Sequence, residues 1–236
     1  MKKKTALITG GTKGIGYGIA EVLLENGWHV GITGTSEQSV EAALKKLNVK
    51  HSGLVEGYVC DVRDGERQGE IADKVVKKFG QLDLLVANAG VGHFANIQEM
   101  TEEQWKETID INLTGVFHTI KAGVDHLKET KGLFITIASL AGTNFFPNGA
   151  AYNASKFGLV GFTQAVMLDL RNLGIRTSTI MPGSVATHFN NNVPGEKDSW
   201  KIQPEDIGQM VLDLEKLDHR TLPSKIEVRP SMPPKK

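Results

Sequence analysis

The stretch Thr5-Ala6-Leu7-Ile8-Thr9-Gly10-Gly11-Thr12-Lys13-Gly14-Ile15-Gly16 decides the fold, because a short apolar run passes straight into a glycine-rich turn. Beyond the turn, Ile19, Ala20, Val22, Leu23 and Leu24 recur with helical spacing. Strand, glycine turn and helix in that order aim backbone N–H groups and the positive end of a helix at a phosphate. Glycine allows both the tight turn and the close approach of a pyrophosphate. The spacing Gly10, Gly14, Gly16 departs from a plain GxGxxG fingerprint. It is not a Walker loop, because Lys13 precedes Gly14 and no Gly-Lys-Ser/Thr follows.

Further along the chain, short apolar runs keep alternating with longer helical patterns. Strands are expected near 5–9, 29–33, 54–60, 82–87, 132–138, 175–181 and 225–229, and helices near 15–26, 36–47, 65–79, 101–128, 152–172 and 204–217. This alternation predicts an α/β fold, a Rossmann-type doubly wound parallel sheet of about seven strands with helices on both faces. Residues 1–236 read as a single dinucleotide-binding and catalytic domain. The Pro-rich end 230–236 is expected to be extended, since proline lacks the ladder donor. Ligands of such sheets bind at the carboxyl ends of the strands, where the strand order switches. Asn88, Ser139 and Pro182 all follow strand candidates at that edge.

Tyr152 and Lys156 lie four residues apart in a helical segment, so their side chains share one face. A free phenol ionises near pH ~10. A unit cation roughly 4 Å away contributes about 1 kcal/mol in water and about 4 kcal/mol at an effective dielectric near 20. At about 1.4 kcal/mol per pKa unit, only a desolvated cleft turns the pair into an acid/base device. Alone, the spacing is common.

Taken together, TGGTKGIG at 9–16, Ala87-Asn88-Ala89-Gly90, Asn112, Ser139, the Tyr152/Lys156 pair and Pro182-Gly183 resemble the short-chain dehydrogenase/reductase family in order and spacing. The resemblance covers nearly the whole chain and is closest in general to 3-oxoacyl-carrier-protein reductases. It implies carbonyl reduction, reversible as alcohol oxidation, with Tyr152 giving a proton to the developing alkoxide. It further implies that Ser139 bonds the same oxygen, that Lys156 lowers the tyrosine pKa and binds the nicotinamide ribose, and that Asn112 holds a water beside Lys156. By the same resemblance the cofactor contacts are Gly10, Thr12, Lys13, Gly14, Ile15, Gly16, Asp61, Val62, Asn88, Ala89, Gly90, Tyr152, Lys156, Pro182, Gly183, Val185 and Thr187. The family commonly has Asn where this chain has Ala87, which removes a side-chain hydrogen bond there.

The end of the second strand separates NAD from NADP. A carboxylate there takes the ribose 2′-hydroxyl, and a basic residue accommodates the 2′-phosphate. This chain has Thr33-Gly34-Thr35-Ser36 and no acid, with Lys13 nearby. Without that repulsion, and with the hydroxyls of Thr35 and Ser36 added, NADP(H) is favoured, with NAD(H) left open. The substrate wall is expected to include Ser139, Phe145 and Phe189, with His93, Phe94, Asn144, Phe146, His188 and Trp200 as further candidates. Those residues suit a medium-sized, partly apolar carbonyl compound; the resemblance implies a 3-oxoacyl thioester, and a small ketone or aldehyde, a quinone or a pterin stays open. Lys128, Lys131 and Arg171 offer only a thin basic patch for an acidic carrier.

Composition narrows the remaining classes. The 27 basic and 27 acidic residues balance, and no basic field suggests nucleic acid. No apolar stretch approaches the ~20 residues that span a bilayer, and the single cysteine, Cys60, fits a reducing cytoplasm and reads as a packed thiol. No metal-ligand spacing is present. From Phe157 to Leu168 the Tyr152 helix carries no charge, so it should be covered on both sides. One cover is its own sheet and the other a second copy of the chain, and the family resemblance implies a homodimer or homotetramer through this helix and the one before it. Two other readings are a cofactor-binding sensor without turnover and an epimerase or dehydratase. The second has little room for a substrate domain between Gly183 and the helix starting near Pro204. A serine hydrolase fails because no GxSxG elbow is present.

Overall fold

A computed structural model describes residues 3–232. Seven parallel strands form one sheet in the order β3-β2-β1-β4-β5-β6-β7. They are β1 Thr5–Ile8, β2 His29–Gly34, β3 Val55–Val59, β4 Leu84–Ala87, β5 Leu133–Ile137, β6 Arg176–Pro182 and β7 Lys225–Val228. Central strands are buried on both faces, as in β1 and β5, where every residue is buried. Alternation then assigns neighbours to opposite layers. Ala6 and Ile8 join a core with Ile19, Leu23, Leu47 and Val211, whereas Leu7 joins one with Ile71, Val75, Ile120 and Leu159.

The first layer comes from α1 (Gly14–Glu25), α2 (Glu37–His51) and α7 (Pro204–Lys216); the second comes from α3 (Gly65–Phe79), α5 (Gly115–Thr130) and α6 (Ala150–Leu170). Helix α1 lies so close to α7 that a Cβ on Gly18 would sit 2.6 Å from the Pro204 backbone, and one on Gly208 2.8 Å from the Gly18 carbonyl oxygen. The bare backbone at both positions sets that spacing. β1 pairs with β2 on one side and β4 on the other, so the strand order switches there. The glycine turn after β1, Asn88 after β4 and Ser139 after β5 consequently share one edge.

Two sequence expectations are corrected. The helix expected over 101–128 is three pieces: α4 (Glu102–Ile109), a π-turn at Asp110–Thr114, and α5. The apolar pattern runs through the π-turn unchanged, because one extra residue in a single turn barely shifts the phase of the face. Helix α2 runs four residues past the expected end at 47, to His51, where Lys50 and His51 complement the negative end of the helix. Of the tail, residues 233–236 lie outside the described residues. Pro230, Ser231 and Met232 close a small cavity with Leu140 and Trp200.

Candidate active site

A single cleft of about 940 Å³ runs along the carboxyl edge of the sheet, from the turn after β1 to the start of α6. At one end, Gly10 and Gly14 hold φ of +64° and +57°, a region costly for residues with a Cβ. A Cβ on Gly16 would stand 2.4 Å from the Gly10 carbonyl oxygen and 2.5 Å from Asn88 Nδ2, so that position tolerates only glycine. Gly16 itself packs inside the turn and does not line the cleft. Lys13 sits at the N-cap of α1 without capping it, and the first turn of α1 carries no acid. The helix therefore meets the cleft with its positive end unneutralised, as a pyrophosphate requires.

The turn is stitched to the exit of β4 by a residue the sequence reading passed over. Thr9 Oγ1 accepts from the backbone N–H groups of Asn88 (3.0 Å) and Ala89 (3.2 Å). Asn88 Nδ2 donates in return to Thr9 O (2.9 Å) and Gly10 O (3.0 Å). A threonine directly before the first glycine was the available signal. A second residue missed was Arg63, which lines the cleft and grips Asp61 through Nε and Nη2. That hydrogen-bonded guanidinium holds the Asp61 carboxyl below its ordinary range.

Thr12, Ile15, Thr35, Val62, Ala89, Gly90, Pro182, Gly183, Val185 and Thr187 line the cleft as expected. Ser36 does not. It caps α2, accepting from Ser39 N at 3.3 Å, because a serine before a helix start finds free N–H groups closer than any ligand. Cys60 lies against the cleft, and burial pushes its thiol up to about 11, so it remains a packed thiol.

At the other end, Ser139 follows β5, and Tyr152 and Lys156 stand one turn apart on α6. Ser139 is hydrogen-bonded to Tyr152. Lys156 is buried, donates to Ile137 O at 3.1 Å, and lies 5.8 Å from the Tyr152 ring centroid. Burial lowers the lysine to about 8. The expected acidification of the phenol is corrected: burial raises Tyr152, and the hydrogen bond to Ser139 opposes this only in part. Desolvation disfavours the charged phenolate and is the larger of the two influences.

Asn112, in the π-turn, is fully buried and does not line the cleft. Its Oδ1 accepts from Val91 N (2.9 Å), and its Nδ2 donates to Val91 O (2.8 Å) and Ser155 Oγ (3.0 Å). Both amide hydrogens are thus spent on a clamp between the loop after β4 and α6, which gives the side chain a positioning role beside the expected water-holding one. The clamp sits close to the cation: a Cβ on Gly90 would lie 3.2 Å from Asn112 Oδ1 and 3.7 Å from Lys156 Nζ.

The substrate expectations divide. Phe189 lines the cleft, together with Phe94, Phe146 and His188. Phe145 does not: it is 86% exposed and turns to solvent, because successive residues of that loop face opposite ways. His93 is instead bonded to Glu107 at 2.6 Å, Asn144 caps Leu140 O, and Trp200 lines the separate small cavity.

With this geometry in view, a protein-family model described as short chain dehydrogenase matches residues 4–198. An uncharacterized oxidoreductase of Staphylococcus saprophyticus is 33% identical over 217 residues, covering 90% of this chain and 91% of that relative. A 3-oxoacyl-[acyl-carrier-protein] reductase of Haemophilus influenzae is 35% identical, covering 89% and 86%. Among solved structures, an alcohol dehydrogenase from the archaeon Thermococcus sibiricus complexed with 5-hydroxy-NADP superposes with a TM-score of 0.90 at 31% identity, covering 99% of this chain and all of that one. The chain belongs to the short-chain dehydrogenase family. It is an NAD(P)-dependent dehydrogenase/reductase acting between CH–OH and C=O groups.

The clamp generates a prediction. Asn112→Ala orphans the N–H and C=O of Val91, at about 1–3 kcal/mol for each group left without a partner, while the Ser155 hydroxyl keeps its bond to Tyr152 O. Urea unfolding should show the loss as a lower midpoint with an unchanged slope.

Proposed function

We propose that the protein reduces a carbonyl compound to a secondary alcohol with NADPH, reversibly, with Tyr152 as proton donor. The observation that carries this reading is the meeting of Ser139, Tyr152 and Lys156 in the cleft that also holds the glycine turn and the uncapped start of α1. Bound along that cleft, a reduced nicotinamide supplies a hydride to the carbonyl carbon. Tyr152 Oη gives its proton to the carbonyl oxygen as the π bond breaks, so that one C–H and one O–H bond form and the phenolate recovers a proton from solvent. Ser139 hydrogen-bonds that oxygen and fixes where it sits. Lys156, held by Ile137 O, offsets the charge left on the phenol and reaches the ribose hydroxyls, while Asn112 keeps α6 in register with the loop after β4.

The proton transfer sets the first test. Tyr152→Phe should bind NADPH with an affinity within about twofold of the parent, by protein-to-nicotinamide fluorescence transfer, while carbonyl reduction falls by about 10²–10⁴. Full activity in that variant removes the proton-donor role.

The lysine sets the second. With its pKa lowered by burial to about 8, Lys156 is charged below that pH and neutral above it. Tyr152, raised, keeps its proton throughout. The kcat/KM for carbonyl reduction should therefore fall as pH rises through about 8. A profile flat to pH 10 assigns no role to the charge.

For the cofactor, support for NADP(H) is the absence of an acid at Gly34, Thr35 and Ser36 and the presence of Lys13, which lines the cleft and makes no ion pair among the described residues. The structural relative bound to 5-hydroxy-NADP points the same way. Lys13→Ala should raise KM for NADPH by about tenfold or more, the worth of a charged hydrogen bond, and leave KM for NADH within about twofold. Equal effects on both cofactors argue against contact with the 2′-phosphate.

The assembly reading is a homodimer or homotetramer. Helix α6 leaves Ala154, Phe157, Gly161, Ala165 and Leu168 exposed along one face, and Trp105 of α4 and Phe117 of α5 are exposed as well. An apolar stripe of this kind on a helix otherwise packed on its own sheet suits a second copy of the chain. Residues 1–236 are read as one domain. No helix among the described residues is long and apolar enough to cross a membrane.

A further inference from the structure

Two phenylalanines from separate segments pack on Tyr152, and a third, Phe146, joins them through Phe94. Phe94, in the loop after β4, stands 5.3 Å from the tyrosine ring, centroid to centroid; Phe189, in the 3₁₀ turn Phe189–Asn191, stands 5.7 Å from it. Phe94 also meets Phe189 edge-on at 6.4 Å and Phe146 at 5.9 Å. The convergence is built into the backbone. A Cβ on Gly92 would stand 2.7 Å from Phe189 Cζ and 2.9 Å from the Phe94 ring, so the bare backbone there leaves room for the two rings in their present positions.

The rings are not core. Phe94, Phe146 and Phe189 are 37%, 42% and 39% exposed, and all three line the cleft. Large apolar groups left half-open beside a reacting group await an apolar partner. The charges of the cleft do not compete for that partner. Arg63 is paired with Asp61 and Lys201 with Asp198, Lys156 donates to Ile137 O, and Lys13 stands at the glycine turn. Among the described residues lining the cleft, each lysine or arginine thus has a partner or stands at the glycine turn, away from a carboxylate or a phosphorylated carrier arm at the rings.

We propose that the site selects a carbonyl conjugated to a flat ring, an aryl ketone or aryl aldehyde, and that Phe94 is the side chain that selects it. This deepens the carbonyl-reduction reading and rests on it. Phe94 touches all three of the other rings, so a flat substrate that stacks or abuts against it gains contact while its C=O stays within reach of Tyr152 and Ser139. Aromatic pairs add to simple burial by an amount worth about two- to tenfold in affinity for each contact.

The test compares acetophenone with cyclohexyl methyl ketone, which match in carbon skeleton and differ in the π system, and with an acetoacetyl thioester of N-acetylcysteamine. Each is measured with the full chain in two ways: NADPH consumption, and calorimetric binding to the protein–NADP⁺ complex. Expected is a preference of about tenfold for acetophenone over cyclohexyl methyl ketone in both readouts. Phe94→Leu, which keeps an apolar side chain at a half-exposed position, should lower that ratio by about three- to tenfold. Equal binding of the two ketones, tighter binding of the thioester, or an unchanged ratio in Phe94→Leu overturns the proposal. Preferential binding of acetophenone without NADPH consumption overturns the reduction reading and leaves the ring-selecting site in place.

Discussion

The site depends on one seam, where the chain leaving β1 is fastened to the chain leaving β4. These strands are neighbours at the switch in strand order, and their connections go to opposite faces of the sheet, so a crevice opens between them. Thr9 and Asn88 set its width by exchanging two hydrogen bonds across it, with one more from Ala89 N to Thr9 Oγ1 and one from Asn88 Nδ2 to Gly10 O. The bare backbones of Gly10 and Gly16 let the turn fold against Asn88, and α1 then enters with its positive end facing the crevice. A larger side chain at either glycine would push the turn away from β4 and carry the helix end with it.

The chemistry at the far end of the cleft rests on a deliberate desolvation. Lys156 is buried with one carbonyl partner, and the cost appears as a pKa of about 8. Tyr152 is raised by the same burial. Burial therefore pushes both groups toward their neutral forms. Asn112 preserves this balance from outside the cleft. The π-turn rotates its side chain inward, where it ties Val91 to Ser155 and keeps α6 from shifting relative to the loop that carries Phe94.

Much of this was legible from residue order. Apolar runs alternating with helical patterns identify a parallel sheet because strands buried on both faces must be apolar throughout. The i, i+4 pair and the serine after β5 are local signals whose partners are fixed by backbone geometry. The illegible parts share a cause: their meaning depends on the path of the folded backbone, over a few residues or across segments. The π-turn leaves the apolar phase of its helix almost untouched. Ser36 looks like a ligand until α2 is seen to begin directly after it. Phe145 and Phe146 are alike as letters, and only the path of the loop turns the second inward and the first to solvent. Arg63 becomes a partner for Asp61 once the turn after β3 folds back.

By itself, then, the chain's order of residues determined the layered α/β architecture and the glycine turn, because each is written in short-range periodicity or spacing, and it pointed to the Ser139, Tyr152 and Lys156 trio through the order of motifs along the whole chain. Tertiary structure alone decided the protonation tendencies of Tyr152 and Lys156, the clamp made by Asn112 and the aromatic wall around the tyrosine. Desolvation and ring packing are properties of what surrounds a group, and those surroundings come from segments that meet only when the sheet is assembled.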